Sequence, residues 1–242
     1  LRKKMQGRYA VLAMLGPVVL AGCDRSDAPQ PAPSGTPDAA PIAAAVRPDG
    51  PERLVLAFGD SLYAGYGLAR GQSLPDAVQS RLWAAGINAK VVNAGVSGDT
   101  TAAGRQRLAF ALDNLPRKPD LVMLGLGGND VLRQIPPAET RANMDAMMSE
   151  LAKRGIPVLL TGMRAPPNLG PEFQARFDSI WPDLAKRYDA ALYPFILDGV
   201  IGNAALMQAD HVHPTAPGIV RIADRVTPLV AARLADDPED QP

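Results

Sequence analysis

Four short segments of this 242-residue chain carry side chains suited to chemistry on an acyl group. Gly59-Asp60-Ser61-Leu62 closes one apolar run, Gly95 closes a second, and Gly127-Gly128-Asn129-Asp130 closes a third. The fourth, Asp210-His211-Val212-His213, lies just before the last long apolar-periodic stretch. Acyl transfer needs a nucleophile, a base to take its proton, a carboxylate to orient that base, and donors for the oxyanion that develops. Ser61 can be the nucleophile, and His211 and His213, the only two histidines, are the candidate bases beside Asp210. Asn129 offers a side-chain N–H, Gly95 an unobstructed backbone N–H, and Ser61 its own backbone N–H.

Each segment also has a plainer reading. Asp60 or Ser61 could simply cap a following helix. Ser97, in Gly95-Val96-Ser97-Gly98-Asp99, nearly completes the Gly-x-Ser-x-Gly nucleophile turn but lacks its last glycine. Asp210, His211 and His213 are all acceptable zinc or iron ligands, although no further histidine exists to complete such a site. Gly125-x-Gly127-Gly128 matches a nucleotide-binding turn only loosely, and Tyr63 to Gly67 lacks the Gly-Lys-Ser/Thr of a phosphate loop.

The elements that must position these segments read as an alternation of strands and helices. Leu54 to Phe58 is a continuous apolar run with a β-branched and an aromatic residue, the pattern of a buried parallel strand. Gly59 then permits a tight turn, which delivers Ser61 at the carboxyl end of the strand, where open α/β sheets bind their ligands. Apolar spacing predicts a helix over Leu74 to Ala85 stopped by Gly86, a strand over Lys90 to Asn93, and a helix from Thr101 to about Leu112. A strand over Asp120 to Gly125 and a helix over Ala138 to Arg154 follow, with Met144, Met147, Met148 and Leu151 as core filler on the helix. The remaining elements are a strand at Pro157 to Thr161, a helix at Phe173 to Tyr188, a strand at Ala190 to Pro194 and a helix at Thr215 to Leu234. This order means an α/β domain with a five-stranded parallel sheet and helices on both faces.

The four segments together resemble the conserved blocks of the GDSL, or SGNH, hydrolases. The matching residues are Gly-Asp-Ser-Leu at 59–62, Gly95, Gly-Gly-Asn-Asp at 127–130, and Asp-x-x-His at 210–213. Val91 to Thr100 and Leu124 to Asp130 are similar, more narrowly, to the thioesterase I, lysophospholipase L1 and arylesterase branch. The resemblance implies a flavodoxin-like three-layer α/β/α sandwich. It implies Ser61 as nucleophile, His213 rather than His211 as base, Asp210 as its orienting acid, and Ser61, Gly95 and Asn129 as oxyanion donors. It implies no metal and no cofactor. The expected activity is hydrolysis of small-molecule or lipid acyl esters or thioesters. A carbohydrate O-deacetylase is the alternative within the superfamily, and a non-catalytic lipid-binding lipoprotein is the alternative outside enzymes.

The N-terminal region reads as address and tether. Lys3, Lys4 and Arg8 precede an apolar run from Tyr9 to Gly22 that is too short for a comfortable membrane span. Leu20-Ala21-Gly22-Cys23 resembles the lipobox of bacterial lipoproteins, which implies a signal peptide over 1–22 and a lipid-modified Cys23. The expectation is an exported protein facing the periplasm of a bacterial envelope, held at a membrane through Cys23. Residues 23–52, rich in proline and alanine, read as a disordered linker, 53–235 as the folded domain and 236–242 as an acidic tail. The single cysteine excludes an intrachain disulfide and a multi-cysteine zinc site. Twenty-five basic and 25 acidic residues cancel, so no field attracts nucleic acid, and with aromatics at 5% stacking platforms for it are scarce. A monomer is the default expectation.

Overall fold

The structure, a computed structural model, describes residues 45–235. The leader, Cys23 and the acidic tail lie outside the described residues. So does the expected linker as far as residue 44. Its last part, read as disordered, is already attached to the domain: Arg47 Nε donates to Asn88 Oδ1 at 2.7 Å, and Asn88 Nδ2 donates to the Gly50 carbonyl at 2.7 Å.

Strand β1 (Arg53–Gly59) leads through a one-turn helix, α1 (Ser61–Ala64), to α2 (Leu74–Ala84) and β2 (Ala89–Gly95). Then come α3 (Thr101–Asp113), β3 (Leu121–Gly125), α4 (Gly128–Leu132), α5 (Pro137–Lys153) and β4 (Val158–Thr161). The domain closes with α6 (Pro171–Asp178), α7 (Ile180–Arg187), β5 (Ala191–Tyr193) and α8 (Ala216–Ala235). The five strands pair in parallel in the order β2-β1-β3-β4-β5. Helices α2 and α8 pack together on one face, and α3 packs with α5 on the other. This is the expected three-layer α/β/α sandwich. The chain moves outward from β1 to β2 and then crosses back to β3, so the topological switch falls between β1 and β3, where such sheets open a crevice.

Leu54 to Phe58 are fully or almost fully buried, as are Met144, Met147, Met148 and Leu151 on α5, so the methionines are core. Helix α2 opens with a reciprocal box between Ser73 and Asp76, and Thr100 caps α3. Three stretches differ from their sequence reading, the first being Gly128–Leu132, where no helix was expected and α4 forms. Tyr63 to Gly67, expected as loop, begins inside α1, which ends at Gly65 with φ +82°. The single helix expected over Phe173 to Tyr188 is interrupted at Ser179. Pro182 accounts for the break, because it has no N–H to give the Asp178 carbonyl and its ring crowds that oxygen.

The carboxyl edge of the sheet carries three glycines in one row, with Gly59 paired to Gly95 on one side and to Gly125 on the other. Helix α1 lies directly on this row. A Cβ on Gly59 or Gly125 would run into the Tyr63 ring, and one on Gly95 would overlap Ala64 N and come within 2.7 Å of the Tyr63 carbonyl carbon. Asn93 fastens the seat, its Nδ2 donating to the Tyr63 carbonyl at 3.0 Å. The Tyr63 hydroxyl shares a hydrogen bond with Thr161 at the end of β4, 2.8 Å away. Backbone cannot move aside as a flexible side chain can. Gly95→Ala is therefore expected to cost about 1–3 kcal/mol, the range for overpacking. The loss should appear as a lower urea midpoint at unchanged slope, and an unchanged midpoint would show that α1 does not rest on Gly95.

Candidate active site

Ser61 is the first residue of α1 and Asp60 is its cap, so the capping reading holds for Asp60 and leaves the Ser61 side chain to other work. Asp60 Oδ1 accepts the Leu62 N–H at 3.0 Å, which pins the turn while Ser61 projects from it. Among the described residues the Ser61 N–H has no acceptor, as befits the first turn of a helix.

His213 reaches Ser61 from the segment before α8. Its Nε2 lies 2.8 Å from Ser61 Oγ, and its Nδ1 lies 2.6 Å from Asp210 Oδ2. The other carboxylate oxygen, Asp210 Oδ1, accepts the backbone N–H of Val212 and of His213, each at 3.0 Å. Desolvation acts to raise the Asp210 carboxyl, but the backbone and side-chain hydrogen bonds from His213 and Val212 outweigh it and bring it down to about 2. Asp210 is therefore ionised throughout the neutral range and holds a negative charge against the imidazole. His211 is exposed, with a left-handed backbone at φ +57°. Both ring nitrogens of His213 are occupied by Ser61 and Asp210, which leaves none for a metal. Ser97 is exposed, and His213 is committed to Ser61.

The histidine segment is itself held from two sides. Gln208 N–H donates to the His213 carbonyl at 2.7 Å, and its side-chain Nε2 donates to the carbonyls of Tyr66 at 2.8 Å and Pro214 at 2.9 Å. The Tyr66 ring stacks on the imidazole with centroids 4.4 Å apart and a tilt of 34°. Neither Gln208 nor Tyr66 was identifiable from the sequence, because Tyr66 meets both Gln208, 142 positions away, and the His213 ring only through the fold.

Asn129 sits in the first turn of α4 and is half-buried. Gly127, at φ +111°, makes the turn from β3 into α4, and Trp181 covers it closely enough that a Cβ would lie 2.7 Å from the indole. The next residue, Asp130, is fully buried and accepts Thr101 N–H at 2.8 Å, Thr101 Oγ1 at 2.5 Å and Thr140 Oγ1 at 3.1 Å. These bonds tie α4 to α3 and α5. One N–H of the Asn129 amide donates to the Asp99 carbonyl at 2.9 Å, leaving the second for another acceptor.

Gly95 corrects the sequence reading. Its N–H donates to Asn93 Oδ1 at 2.9 Å, a side-chain turn two residues long. It is thus already engaged, and Gly95 is a glycine because α1 rests on it. The asparagine two residues earlier was the available signal. The free glycine amide of this loop is Gly98, at φ +86°, whose N–H has no acceptor among the described residues and whose neighbour Asp99 holds Asn129.

A hydrogen-bonded Ser-His-Asp line at the switch point of a flavodoxin-like sandwich defines a serine hydrolase of the SGNH kind. The sequence model of the GDSL-like lipase/acylhydrolase family matches residues 57–219. Esterase TesA of Pseudomonas aeruginosa is 40% identical over 180 residues, which cover 74% of this chain and 89% of the relative. An arylesterase of Vibrio mimicus is 38% identical over the same shares. The crystal structure of AlinE4, an SGNH-hydrolase family esterase, superposes with a TM-score of 0.66 at 53% identity, over 76% of this chain and 97% of that one. The chain belongs to the GDSL-like lipase/acylhydrolase family, and it is a carboxylic ester hydrolase.

Asp60 gives the site a pH signature in stability. Burial lifts its carboxyl from 3.8 to about 6, against the Leu62 hydrogen bond and the attraction of His213, with Asp130 adding repulsion. The folded state therefore holds this proton more tightly than the unfolded chain does. The stability this confers is fully present below about pH 3.8 and lost as pH rises through about 6. The span is up to about 3 kcal/mol, from roughly two pKa units. Asp60→Asn keeps the acceptor for Leu62 and removes the titration. The difference in unfolding free energy between wild type and Asp60→Asn is expected to change by that amount between pH 4 and pH 8. A constant difference would show that Asp60 ionises normally.

Proposed function

We propose that the protein hydrolyses esters and thioesters of acyl chains through an acyl-enzyme on Ser61. The observation that carries this is the 2.8 Å contact of Ser61 Oγ with a histidine whose other nitrogen is 2.6 Å from an ionised carboxylate. Ser61 Oγ attacks the carbonyl carbon as His213 Nε2 removes its proton, and Asp210 stabilises the imidazolium that results. The tetrahedral oxyanion accepts from the Ser61 N–H, the second N–H of Asn129 and the Gly98 N–H, the last in place of Gly95. His213 returns the proton to the leaving alcohol or thiol. Water, activated by the same histidine, then cleaves the acyl-enzyme.

Lipid or other extracytoplasmic esters are the natural substrate class on this reading, with the enzyme exported and tethered to an envelope membrane through Cys23. The support is the basic-then-apolar leader and the Leu20-Ala21-Gly22-Cys23 sequence, since an exported enzyme meets little cytoplasmic acyl thioester.

Hydrolysis of p-nitrophenyl esters from acetate to palmitate tests the assignment. Wild type should prefer medium or long chains, and Ser61→Ala should lose the activity at every length. Asn129→Ala should keep KM close to wild type and lower kcat by about 10²–10³, the usual loss for one oxyanion donor. Activity confined to acetate would move the assignment to deacetylation. No activity on any ester, from folded protein, would move it to binding.

A further inference from the structure

Arg107, on α3, bonds the turn that leads to Ser61 and the loop that carries Gly98, and it pairs with Asp99, whose carbonyl holds the Asn129 amide. Its Nη2 donates to the Gly59 carbonyl at 2.8 Å, two residues before Ser61. Its Nη1 donates to the Ala94 carbonyl near the end of β2 at 2.9 Å. Its Nε donates to Asp99 Oδ2 at 2.5 Å, and Asp99 is both the neighbour of Gly98 and the residue whose carbonyl holds Asn129. The guanidinium also lies over the fully buried Phe58 ring, 3.9 Å from its centroid. Only 23% of the Arg107 side chain and 12% of the Asp99 side chain are exposed, so solvent competes little for the pair.

We propose that Arg107 is the positioning residue of the oxyanion hole, acting on Asn129 through Asp99. The proposal rests on the oxyanion reading of Asn129 given above. An amide NH2 has two N–H bonds in one plane at a fixed angle, so giving one to the Asp99 carbonyl sets the direction of the other. Asp99 lies in the short loop between β2 and α3, and its place is held by the ion pair with Arg107. Arg133 Nη2 secures the same loop from the α4 side by donating to the Gly98 carbonyl at 2.9 Å. A planar guanidinium can satisfy three acceptors in three directions at once, whereas a lysine ammonium on a flexible stem cannot hold that geometry. The residue therefore couples the nucleophile turn, the glycine loop and the Asn129 amide. None of its contacts reaches Ser61 Oγ or His213.

The test is a double-mutant cycle on kcat with R107K, N129A and the double variant, using a p-nitrophenyl ester. Active enzyme is counted by stoichiometric organophosphonate labelling of Ser61 run to completion, so that misfolded protein does not enter kcat. R107K should lose about 10–100-fold in kcat, below the loss for deleting a donor outright, with KM little changed. In N129A the same substitution should cost clearly less than in the wild-type background, because the amide it orients through Asp99 is gone and only its bonds to the Gly59 and Ala94 carbonyls remain to be lost. D99N, which leaves the guanidinium in place and weakens only its ion pair, should show a smaller loss with the same dependence on Asn129. If the R107K and N129A losses multiply, Arg107 acts independently of Asn129 and the proposal fails while the oxyanion reading stands. If R107K matches wild type in kcat per labelled serine, the proposal also fails. If N129A alone stays within threefold of wild type, the oxyanion reading falls and the proposal falls with it.

Discussion

Ser61 reaches the edge of the sheet because a helix lies where side chains would ordinarily stand. At the carboxyl ends of β1, β2 and β3 the paired residues are Gly59, Gly95 and Gly125, and the Tyr63 ring and the α1 backbone occupy the space three Cβ atoms would have taken. Ser61 is thereby supported on rigid strands and not on a loop, which is what holding its hydroxyl within hydrogen-bond range of a distant histidine requires. Most other features of the site follow from that seat. Asn93 fastens it, Asp60 caps its helix, and Arg107 holds the carbonyl of Gly59 from beneath.

Buried and half-buried charges are distributed so that each has a counterpart suited to its position. Asp210 is partly exposed, receives two backbone N–H bonds and keeps its charge for the imidazole. Asp130 is fully buried, yet a backbone amide and two threonine hydroxyls satisfy it and fix α4 against its neighbours. Asp60, buried beside Ser61, accepts the Leu62 N–H as the helix cap, and burial pushes its carboxyl upward. Three carboxylates in one site thus differ in environment, and only the one against His213 is arranged to orient an imidazole.

The glycine loop shows where reading residues in isolation reaches its limit. Gly95 and Gly98 stand three apart in the same small-residue stretch, and a glycine has an unobstructed amide wherever it occurs. Gly95 proves to be required for close packing, with its amide bonded to Asn93, while the Gly98 amide has no acceptor among the described residues and lies beside the residue that holds Asn129. The same holds for Gln208 and Tyr66, which brace the histidine segment through contacts that carry no sequence periodicity. Pro182, by contrast, was a local signal for the interruption between α6 and α7.

What the sequence determined by itself was local and periodic. Apolar runs ending in glycine placed the strands, helical spacing and caps placed the helices, and their alternation required a parallel sheet covered on both faces. With only two histidines and an aspartate beside them, the set of residues available for acyl chemistry was small, and the family pattern selected among them. What tertiary structure decided was which of those residues meet. The join of Ser61 to His213 spans 152 positions, and it depends on β1 lying at the switch point and on α8 returning to the same edge. Which glycine amide is free and what anchors the Asn129 amide were decided there too. Such choices depend on distances of a few ångströms between segments remote in sequence, and a periodicity of side chains carries no information about those distances.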